Sequence, residues 1–352
     1  MAFLHIKNVV IKGLAACVPS GIEENSAITS ILPPDLEKLI RTTGVERRHT
    51  IKPGDCTSDL CFKAAEKLID ELRWDKSEIE GLIFVSQTPD FILPATSAIL
   101  QNRLGLSTDC FTLDISLGCS GFVYGLSAIT SYMQTGMIRK ALLLAGDTSS
   151  MTCSKDDKST YPLFGDAGTA TALEYSEGED GLKFHLGSDG SGFSSIIIND
   201  GGYRNRFNAG SMNANFIAEG ISRSNLQLTL DGMDVFSFGI SKAPETVSAL
   251  LNKFGVDKDN VDHFYFHQAN LMMNDRIRKK LQLPEDKVPL SLKNFGNTSS
   301  ASIPLTMVTE TAEALRAGEK EIVACGFGVG LSWASVICKT THLTIPDLIY
   351  YD

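Results

Sequence analysis

Residues 111–133 read FTLDISLGCSGFVYGLSAITSYM, and residues 290–312 read LSLKNFGNTSSASIPLTMVTETA. Each reads as a strand, a glycine-containing turn and a helix. Working outward from each, the neighbours match as well. Upstream stand IEGLIFVSQTPDFI (79–92) and VDHFYFHQANLMM (261–273), each an apolar strand opening into a polar loop. Helical stretches follow, closing on LQNRLGL (100–106) and RKKLQL (278–283). Downstream stand KALLLAGDTS (140–149) and KEIVACGFGVGLS (320–332). The order strand–helix–strand–helix–strand therefore occurs twice, which points to duplication of one α/β unit rather than to a short repeat. Runs such as LIFV, ALLLA and IVAC suit strands buried on both faces. The division predicted is 1–180 for the first half and 181–352 for the second.

Composition sets the class. The chain has 352 residues, 43% of them hydrophobic and 21% charged, as in a globular protein able to bury a sizeable core. A formal charge of −10 argues against general nucleic-acid binding, which needs a basic face. No apolar run approaches a membrane span. The N-terminus, with Lys7 and Lys12 among its apolar residues, reads as a strand and not as a signal peptide, so the cytoplasm is the expected address. None of the eight cysteines has metal-ligand spacing, and most read as small buried hydrophobes.

One cysteine stands apart. Cys119, in Leu117-Gly118-Cys119-Ser120-Gly121, lies where a strand ends and an apolar helix begins. A helix start offers unpaired N–H groups and the positive end of the dipole, which favour a thiolate nucleophile. Its own N–H can serve as an oxyanion donor. His267 closes the apolar strand HFYF and opens His267-Gln268-Ala269-Asn270, a place suited to acid–base or hydrogen-bonding work. Asn297, in Gly296-Asn297-Thr298-Ser299, occupies in the second half nearly the place of Cys119 in the first. In open α/β sheets ligands collect at such strand ends and helix starts.

Taken together, these segments resemble the 3-oxoacyl-(acyl-carrier-protein) synthase III family, over essentially the whole chain. Thr43-Gly44-Val45 with Arg48-His49, the cysteine turn, Phe164-Gly165-Asp166-Ala167-Gly168, the His267 and Asn297 phrases, and Gly326-Phe327-Gly328-Val329-Gly330-Leu331-Ser332-Trp333 carry the likeness in order. The resemblance implies a thiolase-like α/β fold with layers in the order α-β-α-β-α, a homodimer, and a Cys119–His267–Asn297 triad. It implies decarboxylative condensation of an acyl thioester with malonyl-acyl carrier protein through an acyl-cysteine. No cofactor is expected beyond the CoA or carrier-protein phosphopantetheine thioesters themselves.

Further assignments follow from the resemblance. The backbone of Cys119, Val329 and Gly330 would form an oxyanion hole, Phe327 would line the acyl pocket together with Leu93, whose loop in the family crosses into the partner's pocket, and Arg276, Arg278, Lys279 and Lys280 would dock the carrier protein. The family's aromatic and guanidinium groups for CoA are replaced by Lys38, Thr42, Lys158 and Met272, which points to a donor other than acetyl-CoA. Three alternatives stand beside this reading. Acyl transfer to an alcohol or amine is disfavoured by Asn297. A 3-hydroxy-3-methylglutaryl-CoA synthase activity is disfavoured by Gln87 where that enzyme needs a glutamate. A purely supporting subunit is disfavoured by the intact triad.

Overall fold

The computed structural model describes residues 2–352. Two mixed sheets form its frame. In the first, the order is Ile349–Tyr351, Val9–Pro19, Ala167–Tyr175, Lys140–Asp147, Gly81–Val85 and Phe111–Ile115. In the second it is Ala2–Ile6, Leu182–Ser188, Ser332–Thr341, Glu319–Gly328 and His263–Phe266. Four strands correspond one to one. In both sheets the sense of pairing along those four is antiparallel, antiparallel, then parallel. The duplication read from the sequence is therefore present in the topology.

Layering follows from which helices are apolar all round. Gly121–Met133 packs against strands of both sheets, and so does Ser302–Glu310, so these two helices form the middle layer. Such a position excludes a polar face. Phe122, Val123, Leu126 and Ile129 are buried in one helix, and Ile303, Leu305, Met307 and Val308 in the other. Close approach needs small residues too. A Cβ on Gly125 would sit 2.7 Å from both Leu143 and Val85 side chains. Thr57–Leu72 covers the outer face of the first sheet, and Gly232–Phe254 that of the second. The result is α-β-α-β-α. No helix among the described residues is long and apolar enough to cross a membrane.

Two expectations change. The segment before the Asn297 turn is not a strand. Leu292–Phe295 is a short helix, because Leu292 and Phe295, three apart, are both buried while Lys293 and Asn294 face outward. The second sheet consequently lacks a partner to Phe111–Ile115. The chain ends also cross over: Ala2–Ile6 joins the second sheet and Ile349–Tyr351 the first. A boundary at 180–181 separates the Cys119 turn from the His267 and Asn297 turns, but it does not separate these edge strands.

Candidate active site

Cys119, His267 and Asn297 line a single cavity of about 280 Å³. They reach it from three loops at corresponding places of the two halves. Cys119 precedes the helix Gly121–Met133, His267 follows the strand His263–Phe266, and Asn297 precedes the helix Ser302–Glu310. All three are buried, at 7%, 2% and 5% exposure.

Burial decides the ionisation of the first two. It pushes the Cys119 thiol up to about 11, against the smaller opposing pull of the Val329 N–H and the Ser299 hydroxyl. The helix start favours a thiolate, and desolvation of the anion at this buried position opposes it. His267 is pushed down to about 3, again chiefly by burial, with the Ser299 backbone opposing. The imidazole is neutral across the physiological range. Nδ1 lies 2.8 Å from the Ser302 hydroxyl; with that hydroxyl as donor, the ring proton sits on Nε2. Phe327 packs edge-on against the ring at 5.6 Å between centroids.

Asn297 is oriented by its own turn. Its Oδ1 accepts the Ser299 N–H at 2.9 Å, its backbone N–H donates to Leu163, and its carbonyl accepts from Gly165. With the oxygen engaged, the side-chain NH₂ is left to face the cavity. His267 Nε2–H and the Asn297 amide are then two neutral donors in one buried site, suited to an oxygen that gains negative charge.

The glycine-rich turn after Glu319–Gly328 completes the sulfur's surroundings. A Cβ on Gly328 would lie 2.6 Å from Cys119 Cβ and 2.8 Å from its Sγ, so only glycine lets this backbone pass. Val329 lines the cavity and Gly330 does not; Gly330 is exposed beyond it. Of the two, Val329 is the residue whose backbone N–H reaches the Cys119 sulfur. Phe327 lines the cavity as expected. Leu93 is not part of this chain's own cavity lining: it is 75% exposed in a loop with Phe91 and Ile92, as a residue destined for a partner's pocket would be in a single chain.

Other assignments fare unevenly. On the helix Leu271–Leu281, Arg278 and Lys279 both pair with Asp275, and Lys280 donates to the Ile240 carbonyl. Arg276 is exposed and makes no ion pair among the described residues. Lys38 is exposed, and the Thr42 hydroxyl is turned back onto the Lys38 carbonyl. Arg41, overlooked in the sequence, lines a groove with Thr42, Met272 and Arg278, so this corner does carry a guanidinium one residue from where it was sought.

Sequence reasoning also missed Asp147. It is 1% exposed and lines the cavity. Its carboxylate accepts from Ser86 Oγ, the Gln87 N–H, and both the N–H and Oγ of Ser300. Burial raises its pKa, with these donors opposing. The available signal was a lone carboxylate ending the strand KALLLAGD, which is buried from Ala141 onward.

Comparison with known proteins agrees with this geometry. Residues 113–190 match the family model for 3-oxoacyl-[acyl-carrier-protein (ACP)] synthase III, and residues 251–340 match its C-terminal model. The beta-ketoacyl-[acyl-carrier-protein] synthase III of Rhodopirellula baltica is 33% identical over 355 residues, 95% of this chain and 99% of the relative. That of Clostridioides difficile is 33% identical over 336 residues, 94% of this chain and 98% of the relative. Among solved structures, a 3-oxoacyl-(acyl-carrier protein) synthase from Burkholderia xenovorans superposes with a TM-score of 0.93 at 38% identity, covering 99% of both chains. The fold, the converging triad and these likenesses agree: the chain belongs to the 3-oxoacyl-[acyl-carrier-protein] synthase III family.

Proposed function

We propose that this chain is an acyltransferase that condenses an acyl thioester with malonyl-acyl carrier protein through an acyl-Cys119 intermediate. The observation that carries it is the convergence of Cys119, His267 and Asn297 on one cavity. The Cys119 sulfur attacks the donor's carbonyl, its proton leaves with the departing thiol, and the Cys119 and Val329 N–H groups hold the oxyanion. The malonyl thioester then loses CO₂. The electron pair of the broken C–C bond passes into an enolate whose oxygen His267 Nε2–H and Asn297 Nδ2–H stabilise, each donor contributing about 3 kcal/mol. The enolate carbon attacks the acyl carbonyl, a C–C bond forms, and the cysteine sulfur leaves to be reprotonated. Transfer to an alcohol or amine would leave the paired donors without this task.

The replaced CoA contacts at Lys38, Thr42 and Met272 support a donor other than acetyl-CoA, and the exposed Arg276 supports carrier docking at that helix. Eight free cysteines suit a reducing compartment such as the cytoplasm. A homodimer is supported by the open edge of Phe111–Ile115 and the apolar loop at Leu93. Incubation with an acyl-CoA and malonyl-carrier, followed by mass spectrometry, tests the reaction. Release of CO₂ with formation of a 3-oxoacyl-carrier is expected; acyl transfer to an alcohol or amine without CO₂ release would overturn it.

A further inference from the structure

Asp147 holds the Ser300 end of the turn that carries Asn297, but Asn297 itself is held by a strap of the first half, residues 162–165. The Asn297 N–H donates to the Leu163 carbonyl at 2.9 Å, and its carbonyl accepts the Gly165 N–H at 3.1 Å. Phe164 and Asn297 thus pair as an isolated parallel bridge. The two backbones lie close. A Cβ on Gly296 would sit 2.6 Å from the Leu163 carbonyl oxygen, and one on Gly165 would collide with that of Phe295. These bonds fix Asn297 only as well as the strap is itself fixed.

The strap in turn rests on Arg48, a fully buried cation. Each of its nitrogens has its own acceptor. Nε donates to Asn25 Oδ1 at 3.0 Å, Nη1 to the Phe164 carbonyl at 3.2 Å and Nη2 to Glu23 Oε2 at 2.7 Å. Asn25, also fully buried, donates from Nδ2 to the Pro162 and Val45 carbonyls at 2.8 and 3.0 Å. Tyr161, just before the strap, has its ring 4.7 Å from the guanidinium and donates its hydroxyl to the same Glu23 oxygen at 2.9 Å. The carbonyls of Pro162, Leu163 and Phe164 are therefore all engaged, the outer two by Asn25 and Arg48 and the middle one by Asn297. A buried cation is costly to keep unless its hydrogen bonds are complete. Three acceptors in three directions call for a planar fork, which an ammonium does not supply.

Resting on the role in decarboxylation proposed above for Asn297, we infer that Arg48 is a positioning residue for that step. Through the Phe164 carbonyl it holds the strap that fixes the Asn297 backbone, and so aims the Asn297 side-chain amide at the enolate oxygen. Arg48 acts through Asn297 and touches no substrate, so acylation of Cys119 does not depend on it.

The test is Arg48→Lys in the full-length chain, which keeps the charge and loses the fork. Decarboxylation of malonyl-carrier should fall about tenfold, in kcat rather than KM, while acylation of Cys119 changes less than about threefold. The same substitution in an Asn297→Ala background should cost less than about twofold, because a residue acting through Asn297 then has nothing to aim. Hydrogen exchange at the Asn297 and Gly165 N–H groups, which join turn to strap, should quicken in Arg48→Lys. If that variant does not fold, Asn25→Ala, which frees the Pro162 carbonyl and keeps the arginine, should show the same loss and the same dependence on Asn297. Equal losses in both half-reactions, an equal loss with and without Asn297, or unchanged exchange at the two amides would overturn the proposal. The two readings separate cleanly. A wild-type enzyme that releases no CO₂ from malonyl-carrier defeats condensation, and the exchange measurement still decides whether Arg48 holds the turn. Release of CO₂ by the wild type, with a loss in Arg48→Lys that is the same in both backgrounds, defeats the role of Arg48 alone.

Discussion

Asp147 and Ser300, 153 residues apart in the chain, are joined by two hydrogen bonds: the carboxylate accepts the serine's N–H at 3.1 Å and its hydroxyl at 2.7 Å. The other carboxylate oxygen takes the Gln87 N–H at 2.7 Å. A strand end of the first half therefore holds the turn of the second half that presents Asn297. Asp147→Ala would leave the buried Ser300 N–H without an acceptor, costing about 1–3 kcal/mol, and would release the part-buried Gln87 N–H. The expected outcome is a fall in melting temperature of several degrees, with decarboxylation reduced more than acylation. Thermal unfolding and separate half-reaction assays check both; unchanged stability would refute the coupling.

Cys119→Ala should abolish acyl transfer while the fold survives. In the wild type the thiol stays protonated to about 11, so the sign of the pH dependence is set. Alkylation of Cys119 should accelerate about tenfold per pH unit from 7 to 10, since only the thiolate reacts. A rate already level at neutral pH would mean a thiolate at rest. An acyl adduct on another cysteine, with Cys119 unmodified, would refute its role.

His267→Ala and Asn297→Ala should each slow malonyl decarboxylation about a hundredfold or more and affect acylation far less. Because His267 stays neutral until pH falls to about 3, protonation of this ring should not diminish decarboxylation between pH 8 and 5. Equal losses in both half-reactions would show that the two residues serve the sulfur instead.

Gly328→Ala places a methyl group 2.8 Å from the Cys119 sulfur. Acylation should fall at least tenfold, since this contact must be relieved by moving either the nucleophile or the oxyanion turn, while distant core packing is untouched. A variant of wild-type activity would show that the turn gives way freely.

A dimer is expected in solution. Phe91, Ile92 and Leu93 are 60%, 77% and 75% exposed, and Leu113 on the edge strand is 38% exposed. Isologous pairing of such surfaces is the commonest way to cover them. Light scattering at micromolar concentration should give twice the chain mass, and Leu93→Asp should lower it.

The sequence alone determined the two α/β units, and its family resemblance singled out Cys119, His267 and Asn297. Strands buried on both faces have no polar alternation to obscure them, and Cys119, His267 and Asn297 stand at strand ends and helix starts that local pattern marks. Leu292–Phe295 escaped because four residues with two buried positions satisfy a strand and a helical turn alike. What tertiary structure alone decided is everything set by distance across the chain. The helix start of Cys119 favours a thiolate, yet burial in the folded site raises its pKa. Asp147 looked like a strand's last residue until Ser300 was brought to it. Leu93 could be assigned to a pocket by resemblance, but its place outside the lining of its own chain's cavity is known only from the fold. Local pattern records which residues are apolar, small or able to cap; which charge loses its water, and which donor meets it, depends on neighbours that only the closed fold supplies.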